Sequence, residues 1–207
     1  SLLGENHRFT QEELVKWWNQ LVDALNYAHN HDLKVVHRDI KPSNIFIDKK
    51  GNVKLLDFGV AKIKESIHVT MTGTTMGTLM YMSPEQADNA KVVTPASDAY
   101  SLAVTFVHLL TGKAPYSDTS SERAILNAIA EEPPDLSGVT EEWRKFLAPY
   151  LEKKPEDRPA LRPFEAVVKK EPAKTDESDD EETIVDDVPK NPEHSNHQRL
   201  TPSAARR

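Results

Sequence analysis

The residues of this 207-residue chain that could do chemistry lie in two short stretches. The first, residues 37–44, contains an acid, a cation and an amide, which are Asp39, Lys41 and Asn44. The second begins with Asp57, which a phenylalanine and a glycine follow. Phosphoryl transfer needs a positioned hydroxyl, metal ions that neutralise phosphate charge, and a group that takes or orients the hydroxyl proton. These residue types therefore predict half of a phosphoryl-transfer site.

Each of the four polar side chains matches a role in the known template of kinase phosphoryl-transfer sites. Asp39 is expected to take or orient the proton of the attacking hydroxyl. Lys41 is expected to reach the transferring phosphate with a fixed positive charge. Asn44 and Asp57 supply an amide and a carboxylate oxygen, which are hard ligands suited to Mg²⁺. A short hairpin predicted between them would bring both ligands to one end, where a metal ion can bridge them.

Five short motifs occur in order along residues 9–168. They are a catalytic loop, a metal-binding motif, the end of an activation segment, the start of a buried central helix and a late arginine motif, at residues 37–44, 57–59, 77–85, 97–104 and 155–159. On these motifs the chain resembles the eukaryotic-type (Hanks-type) serine/threonine protein kinases. The stretch from Ser83 to Gln86 is most similar to bacterial members. Five ordered motifs are far more specific than any one alone.

The resemblance implies an enzyme that uses ATP and Mg²⁺ to phosphorylate serine or threonine in a protein substrate. A lysine two residues after the catalytic acid is typical of the serine/threonine class. Thr78 resembles the threonine that hydrogen-bonds Asp39 and Lys41 in that class. The implied catalytic set is therefore Asp39, Lys41, Asn44 and Thr78.

Four further residues are expected to support this site. His37 resembles the histidine that orients the catalytic loop of these kinases, and Asp98 is expected to bond the backbone of that loop. Arg158 is similar to the late arginine that pairs with Glu85. Loss of one partner from such a buried pair typically costs about 3–5 kcal/mol.

Residues 57–85 show little hydrophobic periodicity and many threonines, and the resemblance makes them an activation segment. Thr70 and Thr72 lie at positions similar to phosphorylated threonines of bacterial relatives. Arg38 and Lys62 are candidates to clamp such a phosphate through charge-assisted hydrogen bonds. The alternative is that these threonines are only polar loop residues.

Several parts of a complete kinase have no counterpart in the sequence. None of the seven glycines belongs to a glycine-rich nucleotide loop, and Lys62 follows the metal-binding motif too closely to be the lysine of strand β3. The sequence is therefore expected to supply the large C-terminal lobe without the small N-terminal lobe. Phe46 and Leu56 are candidates for the floor of the adenine site, beside Asn44 and Asp57, and weak nucleotide binding is expected from this chain alone.

The hydrophobic pattern predicts a mainly α lobe with one short β-hairpin. An amphipathic helix at 11–29 opens on a capping box, and at most one of the adjacent Trp17 and Trp18 is expected to face the core. The apolar segment 98–111, ended by Gly112, predicts a fully buried helix. The other predicted elements are strands at 45–47 and 53–56, a helix through Ala130 and a helix around Trp143.

Composition predicts a kinase lobe at 1–168 and an acidic tail at 169–207. The net charge is −7, and residues 171–187 hold nine acids and one lysine, so the lobe is nearly neutral and gives no argument for nucleic-acid binding. The tail has the composition of a disordered, solvated linker. Its alternative role is a docking site created by phosphorylation of Ser178 or Thr183.

The absence of cysteine excludes disulfides and thiolate metal sites and fits a cytoplasmic protein. The longest apolar run, 102–110, is too short to span a bilayer, and no signal peptide is visible. Membrane anchoring through sequence outside this chain stays open. The eight histidines show no zinc-binding arrangement.

Two classes of function remain. The first is the large lobe of an active serine/threonine kinase, which the presence of all four catalytic and metal-binding side chains favours. The second is a non-catalytic kinase-like module that binds peptides or proteins, which the absence of the small lobe favours.

Overall fold

The computed structural model describes residues 9–58, 76–88, 92–119 and 121–165. The chain divides into two units, 1–167 and 168–207, and every described residue belongs to the first. The predictions made for Lys62, Thr70 and Thr72, and for the acidic tail, lie outside the described residues. The boundary between lobe and tail stays a prediction.

The described part of the chain is mainly helical with one small antiparallel sheet, which confirms the predicted fold class. Its helices are α1 (Gln11–Asn30), α2 (Met76–Leu79), α3 (Pro84–Asp88), α4 (Pro95–Thr111), α5 (Glu122–Glu131) and α6 (Glu141–Leu147). Its strands are β1 (Ile45–Ile47) and β2 (Val53–Leu55). Single turns of 3-10 helix lie at Pro42–Asn44, Ala148–Leu151 and Pro155–Asp157. None of the described helices is long and apolar enough to cross a membrane.

Helix α1 begins at the predicted capping box. The Glu13 N–H donates to Thr10 Oγ1 at 3.2 Å, and the Thr10 N–H donates to the Glu13 carboxylate at 2.9 Å. These two bonds satisfy backbone donors that the first turn of a helix leaves without intrahelical partners. The helix therefore starts where the sequence predicts.

Both adjacent tryptophans of α1 are buried, so the prediction that at most one faces the core is wrong. Trp17 and Trp18 are 3% and 0% exposed. The Trp17 indole N–H donates to the carbonyl of Gly51 at 3.1 Å, whereas that of Trp18 donates to the carbonyl of Arg162 at 3.0 Å. Successive helical residues point about 100° apart. Both can be covered because α1 lies between the hairpin and the C-terminal segment.

Strands β1 and β2 pair in a register that places Ile45 opposite Leu55. The turn between them contains Gly51 at a φ of +72°, a left-handed conformation that glycine adopts without steric cost. Beyond the strands, the Leu56 N–H donates to the carbonyl of Asn44 at 2.8 Å. The hairpin thus holds Asn44 next to Leu56, the residue before Asp57.

Helix α4 is the buried centre of the lobe. Residues 97–109 are all buried, as the apolar sequence predicts, and Gly112 ends the helix at a φ of +71°. The helix starts three residues earlier than predicted, because Thr94 and Ser97 form a reciprocal cap and Pro95 fits the first helical position.

An aromatic cluster joins α1, α4 and α6 to the C-terminal segment. The Trp18 ring meets the rings of Phe106 and Trp143 at centroid distances of 5.0 and 6.2 Å, and Trp143 stacks on Phe164 at 4.1 Å. Large buried rings dominate the energetics of such a core. This core packs α1, α4 and α6 against the C-terminal segment.

Candidate active site

The Asp39 carboxylate lies at the centre of the polar cluster predicted from the sequence. Its Oδ2 is 3.1 Å from Lys41 Nζ and accepts a hydrogen bond from Asn44 Nδ2 at 3.0 Å. Lys41 Nζ also donates to Thr78 Oγ1 at 3.1 Å. The structure thus brings Asp39, Lys41, Asn44 and Thr78 together from two segments of the chain.

The Asp39–Lys41 pair is shielded but reachable. The two side chains are 15% and 18% exposed, so solvent screens their attraction less than that of a surface pair. A small cleft beside Asp39 is also lined by Arg38, Thr78 and Tyr81. A hydroxyl entering this cleft could approach the carboxylate.

His37 ties the catalytic loop to the segment that carries the second acid. Its Nε2 donates to the carbonyl of Leu56 at 2.9 Å, and its Nδ1 accepts from the Asp39 N–H at 3.2 Å. The His37 ring also meets the Phe58 ring at 4.7 Å between centroids. Both neighbours of Asp57 therefore contact the histidine that stands two residues before Asp39.

The oxygens of Asn44 and Asp57 suit a hard cation. Asn44 Nδ2 donates both to the carboxylate and to the carbonyl of Asp39, at 3.0 and 2.7 Å, which turns its Oδ1 away from them. The Asp57 side chain is exposed and, within the described residues, takes part in no hydrogen bond or ion pair. An amide and a carboxylate oxygen are the donor types that Mg²⁺ prefers. The two residues therefore fit a magnesium ion.

Two residues of this region adopt left-handed backbone conformations that are costly for side chains other than glycine. Arg38 has a φ of +69° and Asp57 a φ of +56°. Such a conformation costs on the order of 1–3 kcal/mol and persists only where surrounding contacts impose it. For Arg38, the N–H donates to Asp98 Oδ1 at 2.9 Å and the carbonyl accepts from Gln86 Nε2 at 2.6 Å. Helices α4 and α3 therefore fix both backbone groups of this residue.

Asp98 is the main support of the catalytic loop. Its fully buried carboxylate accepts from the backbone N–H of His37 at 2.8 Å as well as from that of Arg38. His29 Nε2 donates a third hydrogen bond to Asp98 Oδ2 at 2.7 Å. Three donors offset the cost of burying the charge in the first turn of α4.

Comparison with known proteins identifies the family. The sequence pattern that defines the protein kinase domain matches residues 1–171 of the chain. The chain belongs to the protein kinase family.

Similar kinases come from several bacteria. The chain is 42% identical over 129 residues to "Serine/threonine-protein kinases drp72" of Corynebacterium efficiens, which covers 62% of the chain and 25% of that protein. It is 40% identical over 123 residues to the kinase PrkC of Bacillus subtilis, covering 59% and 18%. It is 40% identical over 136 residues to PknA of Mycobacterium tuberculosis, covering 66% and 31%. The chain thus spans less than a third of each of these relatives.

Another ion pair of this kinase domain joins α3 to the C-terminal segment. Arg158 donates to both carboxylate oxygens of Glu85 at 2.8 Å. Its remaining N–H groups donate to the carbonyls of Ala96, Glu152 and Lys153 at 2.7–3.0 Å. All five donors of the guanidinium are used, which is the full capacity of an arginine.

The surroundings of Glu85 favour its charged form. Burial opposes ionisation, but hydrogen bonds from Arg158 and Ser97 outweigh it, so the pKa of Glu85 lies below its ordinary value. Ser97 Oγ donates to Glu85 Oε1 at 2.6 Å. The Glu85 carboxylate is therefore charged at neutral pH.

The apolar residues predicted under the adenine lie on the surface of the kinase domain. Phe46 and Leu56 are 55% and 43% exposed. They flank Asn44 and Asp57 in sequence. Large apolar side chains with this exposure are suited to be covered by a ligand or another polypeptide.

Sequence reasoning missed His29 and Gln86, although both support the catalytic loop. His29 lies in the last turn of α1. Its partner Asp98 is 69 residues away, and the partner of Gln86 is a backbone carbonyl 48 residues away. No local pattern encodes either contact.

Proposed function

We propose that this protein is a serine/threonine kinase, which transfers the γ-phosphoryl group of ATP to a serine or threonine hydroxyl of a protein substrate. The observation that carries the proposal is the Asp39 cluster. One oxygen of Asp39 meets both Lys41 and Asn44, and Lys41 also contacts Thr78. These four residue types serve hydroxyl activation, charge neutralisation and metal binding within one cluster.

Asp39 acts as the group that orients the substrate hydroxyl and receives its proton. The Asn44 amide and the Lys41 ammonium limit the rotation of the carboxylate, so that its oxygens face a fixed direction. A preoriented acceptor lowers the entropic cost of reaching the transition state. Thr78 holds Lys41 close to that acceptor, where its charge stabilises the transferring phosphate.

Asn44 and Asp57 would hold Mg²⁺. When bound, the ion would neutralise the charge of the nucleotide phosphates. Asn44 would contribute its Oδ1, because its Nδ2 is engaged by Asp39. Asp57 would contribute its carboxylate, while its two neighbours contact His37.

The exposed side chains of Phe46 and Leu56 form the apolar floor of the adenine site. They are 55% and 43% exposed, and a planar base would remove part of this surface from water. In a complete kinase the small lobe forms the other wall of the nucleotide site.

Phosphorylation of Thr70 or Thr72 is the proposed activation step. Arg38 Nε is buried and has no hydrogen-bond partner within the described part of the chain. A phosphate is a suitable acceptor for such a donor. Lys62 is proposed as the second cation of this clamp.

The proposed partners are ATP and protein substrates with a serine or threonine, without a role for nucleic acid. The cytoplasmic location stays a prediction from the cysteine-free composition.

The test is transfer of radiolabelled γ-phosphate to a generic protein substrate with Mg²⁺, followed by phosphoamino-acid analysis. The chain is assayed alone and within a longer protein that joins it to a kinase small lobe, the longer kinase. Label on serine or threonine is expected from the longer protein, with loss of label in Asp57→Asn or after chelation of Mg²⁺. Asp118→Asn, at an exposed acid, is the matched control and should keep wild-type activity.

A non-catalytic interaction module is the alternative. It predicts that the longer protein transfers no phosphate under any of these conditions. It also predicts that Asp57→Asn leaves protein binding unchanged. Label that persists in Asp57→Asn would contradict the role proposed for this acid.

A further inference from the structure

A buried contact joins the segment before α3 to the C-terminal part of α4. The Tyr81 hydroxyl lies 2.6 Å from His108 Nδ1, and the two rings stack with an interplanar angle of 10° and a centroid distance of 5.9 Å. The residues are 8% and 7% exposed. The role proposed for the kinase site does not use either of them.

The direction of this hydrogen bond follows from the burial of both groups. Burial raises the pKa of Tyr81 to about 12, so its hydroxyl keeps its proton. Burial lowers the pKa of His108 below its ordinary value, so its imidazole is neutral at pH 7. Tyr81 therefore donates to Nδ1, and the imidazole proton is on Nε2.

The contact reaches the active site through a short stretch of backbone. Tyr81 lines the cleft that Asp39 and Thr78 also line. Its N–H donates to the carbonyl of Thr78 at 3.4 Å. The Thr78 hydroxyl in turn accepts from Lys41 Nζ. Because Tyr81 is anchored on α4, the position of Thr78 is constrained, and Thr78 contacts Lys41.

We propose that His108 is a positioning residue, which fixes Tyr81 through an uncharged O–H···Nδ1 hydrogen bond and so places Thr78 and Lys41 beside Asp39. This inference rests on the proposed kinase function, because it assigns His108 an effect on phosphoryl transfer. It goes further in naming a buried histidine of the central helix as a determinant of the site.

The same geometry makes the position of Tyr81 sensitive to acid. Among the described residues, the titratable side chain that contacts the His108 imidazole is Tyr81, and burial is the cause of the lowered pKa of His108. Protonation at Nδ1 removes the acceptor and introduces a buried charge without an anionic partner. Such a charge is costly, so the contact weakens as pH falls through the lowered pKa of His108.

Three variants test the proposal in the longer kinase. His108→Leu removes the acceptor, Tyr81→Phe removes the donor, and His108→Asn keeps an acceptor near Nδ1 that does not titrate. We expect kcat/KM for a peptide substrate to fall about tenfold in the first two, as for one lost hydrogen bond, with no further loss in the double variant. His108→Asn should retain most activity and lose the decline that the wild type shows at acidic pH.

Two measurements on the chain itself do not require activity. Nitrogen NMR should find the His108 proton on Nε2 at pH 7. Hydrogen exchange at the amides of Tyr81 and Met82, which donate to Thr78 and Leu79, should accelerate in His108→Leu and Tyr81→Phe but not in His108→Asn.

The outcomes separate this inference from the proposed function. An Nδ1–H tautomer, or equal exchange at Tyr81 and Met82 in all variants, overturns the positioning role even if the kinase is active. If NMR and hydrogen exchange give the expected results but no phosphate is transferred, the Tyr81–His108 contact exists as described. Its proposed effect on phosphoryl transfer would then be overturned together with the kinase function. Additive losses in the double variant would also contradict the proposal.

Discussion

Two acid–base pairs of the kinase domain differ in how completely the protein satisfies them. Arg158 and Glu85 are 0% and 10% exposed in their side chains, and the arginine uses all five donors within the protein. Lys41 and Asp39 are 18% and 15% exposed and rest on a few contacts. The donors of Arg158 are all occupied, so none is available to a ligand, whereas Asp39 of the second pair lines a cleft. The difference indicates that one pair holds the fold and the other is available for chemistry.

The largest predicted effect comes from breaking the Arg158–Glu85 pair. Arg158→Ala leaves the Glu85 carboxylate buried without its cation and orphans three carbonyls. We expect the free energy of unfolding to fall by about 3–5 kcal/mol, measured by urea denaturation. Arg123→Ala, at an exposed arginine, is the control and should change it by less than about 0.5 kcal/mol. A small effect of Arg158→Ala would remove the structural role assigned to the pair.

Asp98→Ala should have the next largest effect on stability. It leaves the backbone N–H groups of His37 and Arg38 without their acceptor, and each unsatisfied buried group costs about 1–3 kcal/mol. Phosphate transfer should fall as well, because the left-handed Arg38 loses its support. Urea denaturation and transfer assays check the two effects, with the exposed Asp88→Ala as control. Wild-type stability in Asp98→Ala would show that the loop holds its shape unaided.

The Arg158–Glu85 pair should also make the stability of the domain decrease at acidic pH. The pKa of Glu85 is lower in the folded than in the unfolded chain, so the folded state binds fewer protons. The stability from this carboxylate is therefore complete above its ordinary pKa of 4.5 and is lost as pH falls through the folded value.

Unfolding free energies measured from pH 6 to pH 3 check this sensitivity. Glu85→Gln should be less stable at pH 6 and show a shallower decline than the wild type. Glu141→Gln is the control, because Glu141 pairs with Lys145 on the surface and should change the profile little. Parallel profiles for Glu85→Gln and the wild type would contradict the prediction.

The smallest predicted effect concerns a strained backbone position that lies outside the candidate site. Lys34 has a φ of +44° in the turn before the catalytic loop and is exposed. Lys34→Gly should raise the free energy of unfolding by up to about 1 kcal/mol, because glycine adopts this conformation freely. Lys49→Gly, in the hairpin turn without a positive φ, should not stabilise the domain. A loss of stability in Lys34→Gly would show that the lysine side chain compensates for the strain.

The sequence predicted the elements whose signals are local. The capping box at Thr10, the apolar run of α4 and the glycine at 112 each specify an element boundary or a burial pattern within one turn. Trp17 and Trp18 were misjudged because helical periodicity assumes one buried face. Two separate layers cover α1, and only the folded chain shows this.

The predicted site residues were recognisable because their order along the chain is distinctive. The contacts that hold them were not. His29 reaches Asp98 across 69 residues, and Tyr81 reaches His108 across 27, without any spacing that predicts either bond. Burial also decides the protonation state of His108, and a sequence does not report burial directly. Supporting residues of this kind require the three-dimensional structure.

The most direct test of the role of Asp39 is to measure phosphate transfer and unfolding free energy together for Asp39→Asn in the longer kinase. The variant keeps the shape of the side chain but removes the charge that we propose receives the hydroxyl proton. We expect transfer to fall about 10²–10⁴-fold, the usual contribution of a general base, with an unfolding free energy close to wild type. Undiminished transfer by a folded Asp39→Asn protein would contradict this role.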